Sequence, residues 1–157
     1  MGRIPSTLGD AHDAVDWIPV DVAAQVMVEL SFAHRDHESP ANVACFNIVN
    51  PKTTSWRDLV GSVQDYYKSQ GKSLELVPLD DWVDRLERVD VTKEQNVAQR
   101  FPALKLGDFF RGMSDHGSGG MSFAFETELA AKRSPTMSQL AAVDGRLMKK
   151  WLADWGF

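Results

Sequence analysis

A single cysteine, Cys45, is all the sequence has, so no intrachain disulfide can form. Its place inside the apolar run Val43 to Val49 reads as a buried, unpartnered thiol, which suits a reducing compartment. No apolar run approaches the ~20 residues needed to cross a bilayer. The opening Met1-Gly-Arg-Ile-Pro-Ser6 lacks the apolar core of a signal peptide, so the expected location is cytoplasmic, with no membrane partner. Clustered basic residues are missing as well. Asp and Glu number 22 against 17 Lys and Arg, for a net charge of -5, which argues against nucleic acid as a partner.

Catalytic patterns are equally scarce. A Gly-x-Ser-x-Gly elbow is absent, and nothing pairs a histidine with Cys45. The only tyrosines, Tyr66 and Tyr67, have Lys68 and Lys72 nearby, but neither lysine follows a tyrosine by the four residues that put both on one helix face. Gly117-Ser-Gly-Gly120 follows a helical pattern instead of joining a strand to a helix start, so it reads as a linker and not a phosphate cradle. His34 and His37, beside Asp36 and Glu38, lack a third metal ligand at a defined spacing and read as a solvated helix end.

What is there is a core. Of the 157 residues 43% are hydrophobic and 25% charged, the balance of one ordinary globular domain. An extended piece with Trp17, Ile18 and Val20 around Pro19 runs into a helix, with Asp21 as the expected N-cap. Ala23, Val26, Met27, Leu30 and Ala33 recur on one face of that helix. Length and β-branching predict Val43–Val49 as a strand buried on both faces. Ser55 caps a second helix with Trp56, Leu59, Val60, Val63 and Tyr67 on its core face, and Gly71 ends it. Leu74–Val77 is a second strand, expected to lie parallel to the first across the helical crossover. Asp80 caps a third helix presenting Leu79, Trp82, Val83 and Leu86. Leu106, Phe109, Phe110 and Met113 mark a fourth, and Ser134-Pro135 starts the last helical region, whose buried face holds Leu147, Met148, Trp151, Leu152 and Trp155. The expected fold class is α/β, helix-rich with few short parallel strands. Residues 1–14 read as an irregular lead-in and 114–122 as a flexible loop.

Several stretches carry a resemblance. Gly2-Arg-Ile-Pro5 and Val15-Asp-Trp-Ile-Pro-Val-Asp21-Val-Ala-Ala24 resemble the downstream half of extended short-chain dehydrogenase/reductases. Phe46-Asn-Ile-Val-Asn-Pro51, Thr54-Ser-Trp56, Val77-Pro-Leu-Asp-Asp-Trp82, Leu104-Lys-Leu-Gly-Asp-Phe-Phe110 and Trp151-Leu-Ala-Asp-Trp-Gly-Phe157 narrow it. Together they are similar to the C-terminal portion of thioester reductase domains, found in fungal non-ribosomal peptide synthetases, polyketide synthases and carboxylic acid reductases.

The resemblance implies reductive release of an acyl, peptidyl or polyketide chain from a carrier protein's phosphopantetheine arm, as aldehyde or alcohol, with NADPH as reductant. It also implies that the nucleotide fingerprint and the Tyr/Lys pair lie in an N-terminal Rossmann half that these residues do not contain. No catalytic or cofactor-binding residue is therefore carried over, and the chain alone is expected to be inactive. Phe157 would be the natural end of the synthase, and the partners would be the upstream half and a carrier protein. Ile18 and Val20 would be left as an apolar patch, favouring self-association. Phe109, Phe110, Phe123 and Phe125 flank the glycine loop, and with Ile4, Pro5 and Trp17 they form the candidate substrate pocket. The alternative is a non-catalytic module that docks a carrier protein or holds an apolar acyl chain. A nucleotide-sugar enzyme is disfavoured by the Arg-poor, Trp-rich tail.

Overall fold

A computed structural model describes residues 2–10, 12–37, 43–90, 92, 96–97, 101–115 and 124–156, with the backbone only at 34–37. Strands are few and short. β1 (Arg3–Pro5) pairs in parallel with β4 (Glu75–Val77), and β2 (Ala14–Val15) pairs antiparallel with β3 (Thr54–Ser55). The helices are α1 (Val20–His37), α2 (Trp56–Ser69), α3 (Leu79–Glu87), α4 (Gly107–Asp115) entered through a 3-10 turn at Pro102–Leu106, α5 (Glu128–Arg133), α6 (Pro135–Ser138) and α7 (Gly145–Asp154). The fold is α/β and helix-rich.

The local chemistry of α2 is complete at both ends. Ser55 Oγ accepts from the Asp58 amide at 3.1 Å, and at the far end Gly71 adopts φ +74°. There the Lys72 amide reaches the Tyr67 carbonyl and the Gly71 amide that of Lys68, the paired bonds of a Schellman stop. Trp56, Leu59, Val60 and Val63 are buried against Val15, Val143, Met148 and Leu152, so α2 and α7 form the largest core cluster. Gly145 allows a close approach at that crossing: a Cβ there would lie 3.1 Å from Ser62 Cβ and closer still to its Oγ, so Ser62 would have to shift.

A second cluster holds Val26 and Leu30 of α1 with Ala130 and Met137 of α5 and α6. A third holds Leu79 and Val83 of α3 with Met113 of α4, and Leu8 packs against both the first and the third. Arg111 fastens α4 to α3 through Asp84 at 2.7 Å and Glu87. The guanidinium holds both carboxyls below their ordinary values.

Several expectations are corrected. Residues 43–49 join no ladder, and β4 pairs with β1 instead, inside the supposed lead-in. Val43 is 90% exposed, and Cys45 is exposed instead of buried. Cover on both faces needs a packed layer on each side, and among the described residues only the row of Phe46 and Ile48 meets a core. Asp21 and Asp80 lie within the first turns of their helices, which begin one residue earlier, at Val20 and Leu79; Pro78 precedes α3 with no side-chain cap. On α1 Met27 faces outward with Val20, Val28 and Phe32, leaving Val26 and Leu30 as the buried stripe. Ser134 does cap a helix, its Oγ accepting from Met137 N at 3.0 Å. That helix is one turn long, and α7 has its own cap, with Asp144 Oδ1 accepting from Leu147 N at 2.8 Å. The loop at 114–122 lies outside the described residues except for 114 and 115, which end α4.

Glu29 joins α1 to the turn before α6. Ser134 Oγ and Thr136 Oγ1 each donate to its carboxylate at 2.5 Å, and the Thr136 amide donates at 3.1 Å. These donors pull its pKa from 4.5 down to about 2. A carboxyl depressed in the folded state stabilises above its unfolded pKa, and the gain is lost as pH falls through the folded one. Thermal melts should therefore show stability draining away between pH 4.5 and about 2, with Glu29→Gln less stable at neutral pH and flatter across that window. Truncating Leu59, 2% exposed in the main cluster, should cost about 2–5 kcal/mol by urea unfolding of Leu59→Ala.

Candidate substrate-binding surface

Of the seven residues proposed from sequence, the six that are described do not converge on one cavity. Ile4 is partly buried against the α2–α7 cluster. Pro5 is buried, and its carbonyl accepts from Trp56 Nε1 at 2.9 Å, a structural bond that fixes β1 to α2. Phe123 lies outside the described residues. Phe125 is exposed, in the segment leading to α5.

Phe109 and Phe110 do come together, with partners that sequence reasoning left out. Their rings are 5.6 Å apart, and Phe110 meets Trp82 of α3 edge-on at 5.1 Å. On the other side Phe109 faces His12 at 6.0 Å. The row His12–Phe109–Phe110–Trp82 thus spans three elements, and it grades from exposed to core. Phe110 and Trp82 pack against Leu79, Val83 and Met113, whereas Phe109 is 54% exposed. Trp82 was legible as an apolar position on α3 but not as a neighbour of Phe110. His12 had no signal at all, since only the fold of residues 5–12 carries it across.

Trp17 belongs to a second group. Its ring is 6.4 Å from Trp151, and Trp151 stacks on Trp155 at 6.2 Å with planes 15° apart. Trp155, expected in the buried face of the last helix, is exposed. An open cleft of about 550 Å³ lies elsewhere, at the end of α2 beside Gln64, Lys68, Lys72 and Leu74, and includes none of the predicted residues.

Most of the described helix starts carry negative charge where a diphosphate would bind. A diphosphate wants a helix N-terminus with free amides and no competing negative charge. The first turns here carry Asp21, Asp58, Asp80 with Asp81, Asp108 and Glu128, and Asp144 caps α7. Burial pushes the Tyr67 phenol up, and then its neighbour Tyr66 does, opposite in direction to the lowering a Tyr/Lys pair needs. Lys72 Nζ sits over the Tyr67 ring, 5.6 Å from its centre. Among the described residues no group of three or more His, Cys, Asp or Glu is placed to hold a metal ion. No helix among them is long and apolar enough to cross a membrane.

What the surface supports is apolar contact with a polar imidazole at its rim. At this point sequence relatives decide the family. No protein-family model matches the chain. A carboxylic acid reductase of Neurospora crassa is 32% identical over the whole chain, which covers 14% of that protein. An adenylate-forming reductase of Serpula lacrymans is 26% identical over 99% of the chain and 14% of its own length. The 3-methylorcinaldehyde synthase of Talaromyces stipitatus is 28% identical over 94% of the chain and 5% of its own length.

The chain belongs with the C-terminal reductase domains of this fungal group. It spans about one seventh or less of these curated relatives. Within this reductase-domain segment the two members of the aromatic row should behave differently. Phe109→Ala should leave stability within about 0.5 kcal/mol, because the ring is half in solvent. Phe110→Ala should cost roughly 2 kcal/mol or more, because Trp82 and the α3–α4 cluster lose their cover. Urea midpoints of the two variants check the contrast.

Proposed function

We propose that this chain is the substrate-binding part of an NADPH-dependent reductase that releases a carrier-bound acyl, peptidyl or polyketide thioester as an aldehyde or alcohol. The observation that carries the reading is the aromatic row Trp82–Phe110–Phe109–His12, which forms an apolar wall. Such a wall suits the hydrocarbon or aromatic body of an acyl chain and leaves the chemistry to residues elsewhere. The names of the relatives point the same way, since one is a carboxylic acid reductase and another is named for an aldehyde. NADPH would be held by a separate nucleotide-binding half, because six of the helices α1–α7 carry an acid in the first turn or as the cap, and the Glu29 carboxylate already takes the Thr136 amide at the start of the one-turn α6. The phosphopantetheine arm would arrive on a carrier protein.

The test is turnover with the parts separated. The chain alone, mixed with NADPH and an acyl-pantetheine thioester, should leave the NADPH absorbance unchanged, whereas a polypeptide that adds the preceding reductase half should consume NADPH and yield aldehyde or alcohol. Oxidation of NADPH by the chain alone would sink the division of labour. Carrier-protein binding by the chain, with no turnover even when the preceding half is present, would favour the non-catalytic docking module instead.

A further inference from the structure

Helices α3 and α4 meet along two seams of different chemistry. One is apolar: Leu79 and Val83 are buried with Met113, and Trp82 meets the Phe110 ring at 82°. Apolar packing is non-directional and ring pairs tolerate offset, so this seam sets the distance between the helices better than their register. The other seam is polar. Asp80, Asp84 and Glu87 recur at i, i+4 and i+7, one stripe along α3. Ser114 Oγ donates to Asp80 Oδ1. Arg111 donates from Nη2 to Asp84 Oδ1 at 2.7 Å and to Glu87 Oε2, and from Nε to Glu87 Oε1 at 2.9 Å. The order of these ties runs the two helices antiparallel, and the grip on Glu87 is bidentate. A slide of one residue, about 1.5 Å along the axis, would break such a fork.

These ties add little stability, because the Arg111 side chain is 30% exposed and its two partners nearly half. What they set is position. Phe109, two residues before Arg111, completes the aromatic row only where its ring meets His12. His12 stands on another frame. Its amide donates to the Gly9 carbonyl at 3.0 Å in the turn that follows β1, and β1 is paired with β4, which leads into α3. His12 and α3 therefore share one foundation, and α4 is joined to it through the two seams. We propose that Arg111 is a positioning residue for the acyl substrate: by locking α4 in register on α3 it places Phe109 against His12, and the completed wall selects long acyl chains over short ones. Arg111 acts through Phe109 and not by touching the acyl chain. The inference rests on the proposed function for its ligand and on the α3–α4 geometry for its cause.

The test combines the urea midpoint of the 157-residue chain with two readings that a merely structural role would not move. One is the NMR shift of the His12 imidazole protons, which feel the Phe109 ring current. The other is calorimetric affinity for octanoyl and acetyl thioether analogues of acyl-pantetheine. Arg111→Gln and Arg111→Lys should both keep a urea midpoint near that of the unsubstituted chain, and both should move the His12 protons. Octanoyl affinity should fall about fivefold or more while acetyl affinity holds, the scale of a few lost apolar contacts. Lysine keeps the charge without the fork, so a Lys variant that restores the His12 shifts or the octanoyl preference would overturn the inference. So would unmoved His12 protons in the Gln variant, or moved protons with the octanoyl preference intact. If neither variant folds, Glu87→Gln, which removes the bidentate acceptor and leaves Asp84, carries the same expectations and the same overturning results. An unsubstituted chain that binds neither analogue would fail the proposed function itself, and the inference would fall with it.

Discussion

Asn50 is the joint on which the rest of the chain hangs. It is 2% exposed, and its polar atoms are satisfied by three separate segments. Nδ2 donates to the carbonyls of Trp17 at 3.3 Å and Ala141 at 2.8 Å, Oδ1 accepts from the Lys52 amide at 3.0 Å, and its own amide donates to Asp16. One side of this node is the α2–α7 cluster, reached through Val15 and Val143. The other is the α1–α5–α6 cluster, reached through Ile48 and Leu140. Only an amide side chain offers two donors and an acceptor in that arrangement. An aspartate would turn an acceptor toward two carbonyls, and an apolar residue would leave them unpaired at about 1–3 kcal/mol each. The node also sets where residues 43–49 enter the fold, because they end at it.

Periodicity in the sequence was a good guide wherever helix chemistry is local. Ser55, Gly71 and the apolar positions of α2 are read within a few residues of one another, and the structure follows them. The strands were harder because pairing is not local. Val43–Val49 has the composition of a buried strand, but burial on two faces depends on neighbours that its own sequence does not carry. Arg3–Pro5 looks like irregular lead-in until Glu75–Val77 comes beside it, with Arg3 Nε donating to Glu75 Oε2 at 2.6 Å. Asp21 and Asp80 were placed as caps on side-chain type alone, and each helix starts one residue earlier, so their charges act on the first turn without capping it. The scatter of the candidate pocket residues has a related reason. Proximity to a glycine loop in sequence says nothing about Pro5, whose carbonyl is spent on Trp56, and it cannot reveal His12, which the fold delivers from another segment.

The functional account rests on a division of physical labour. The described residues build an apolar, aromatic surface and fasten it through Leu8, Arg111 and the α3–α4 packing to a well-made core. Six of the helices α1–α7 begin with an acid in the first turn or as the cap, and burial pushes the Tyr67 phenol up. On the proposed function such a surface positions a substrate against chemistry supplied by the rest of the polypeptide.

Equilibrium binding tests this division most directly. Calorimetric titration of the chain with a non-reactive acyl-pantetheine thioester analogue, and separately with NADPH, should show saturable binding of the analogue, weakened in Phe109→Ala, and no binding of NADPH. A chain that binds NADPH and ignores the acyl analogue would contradict the account.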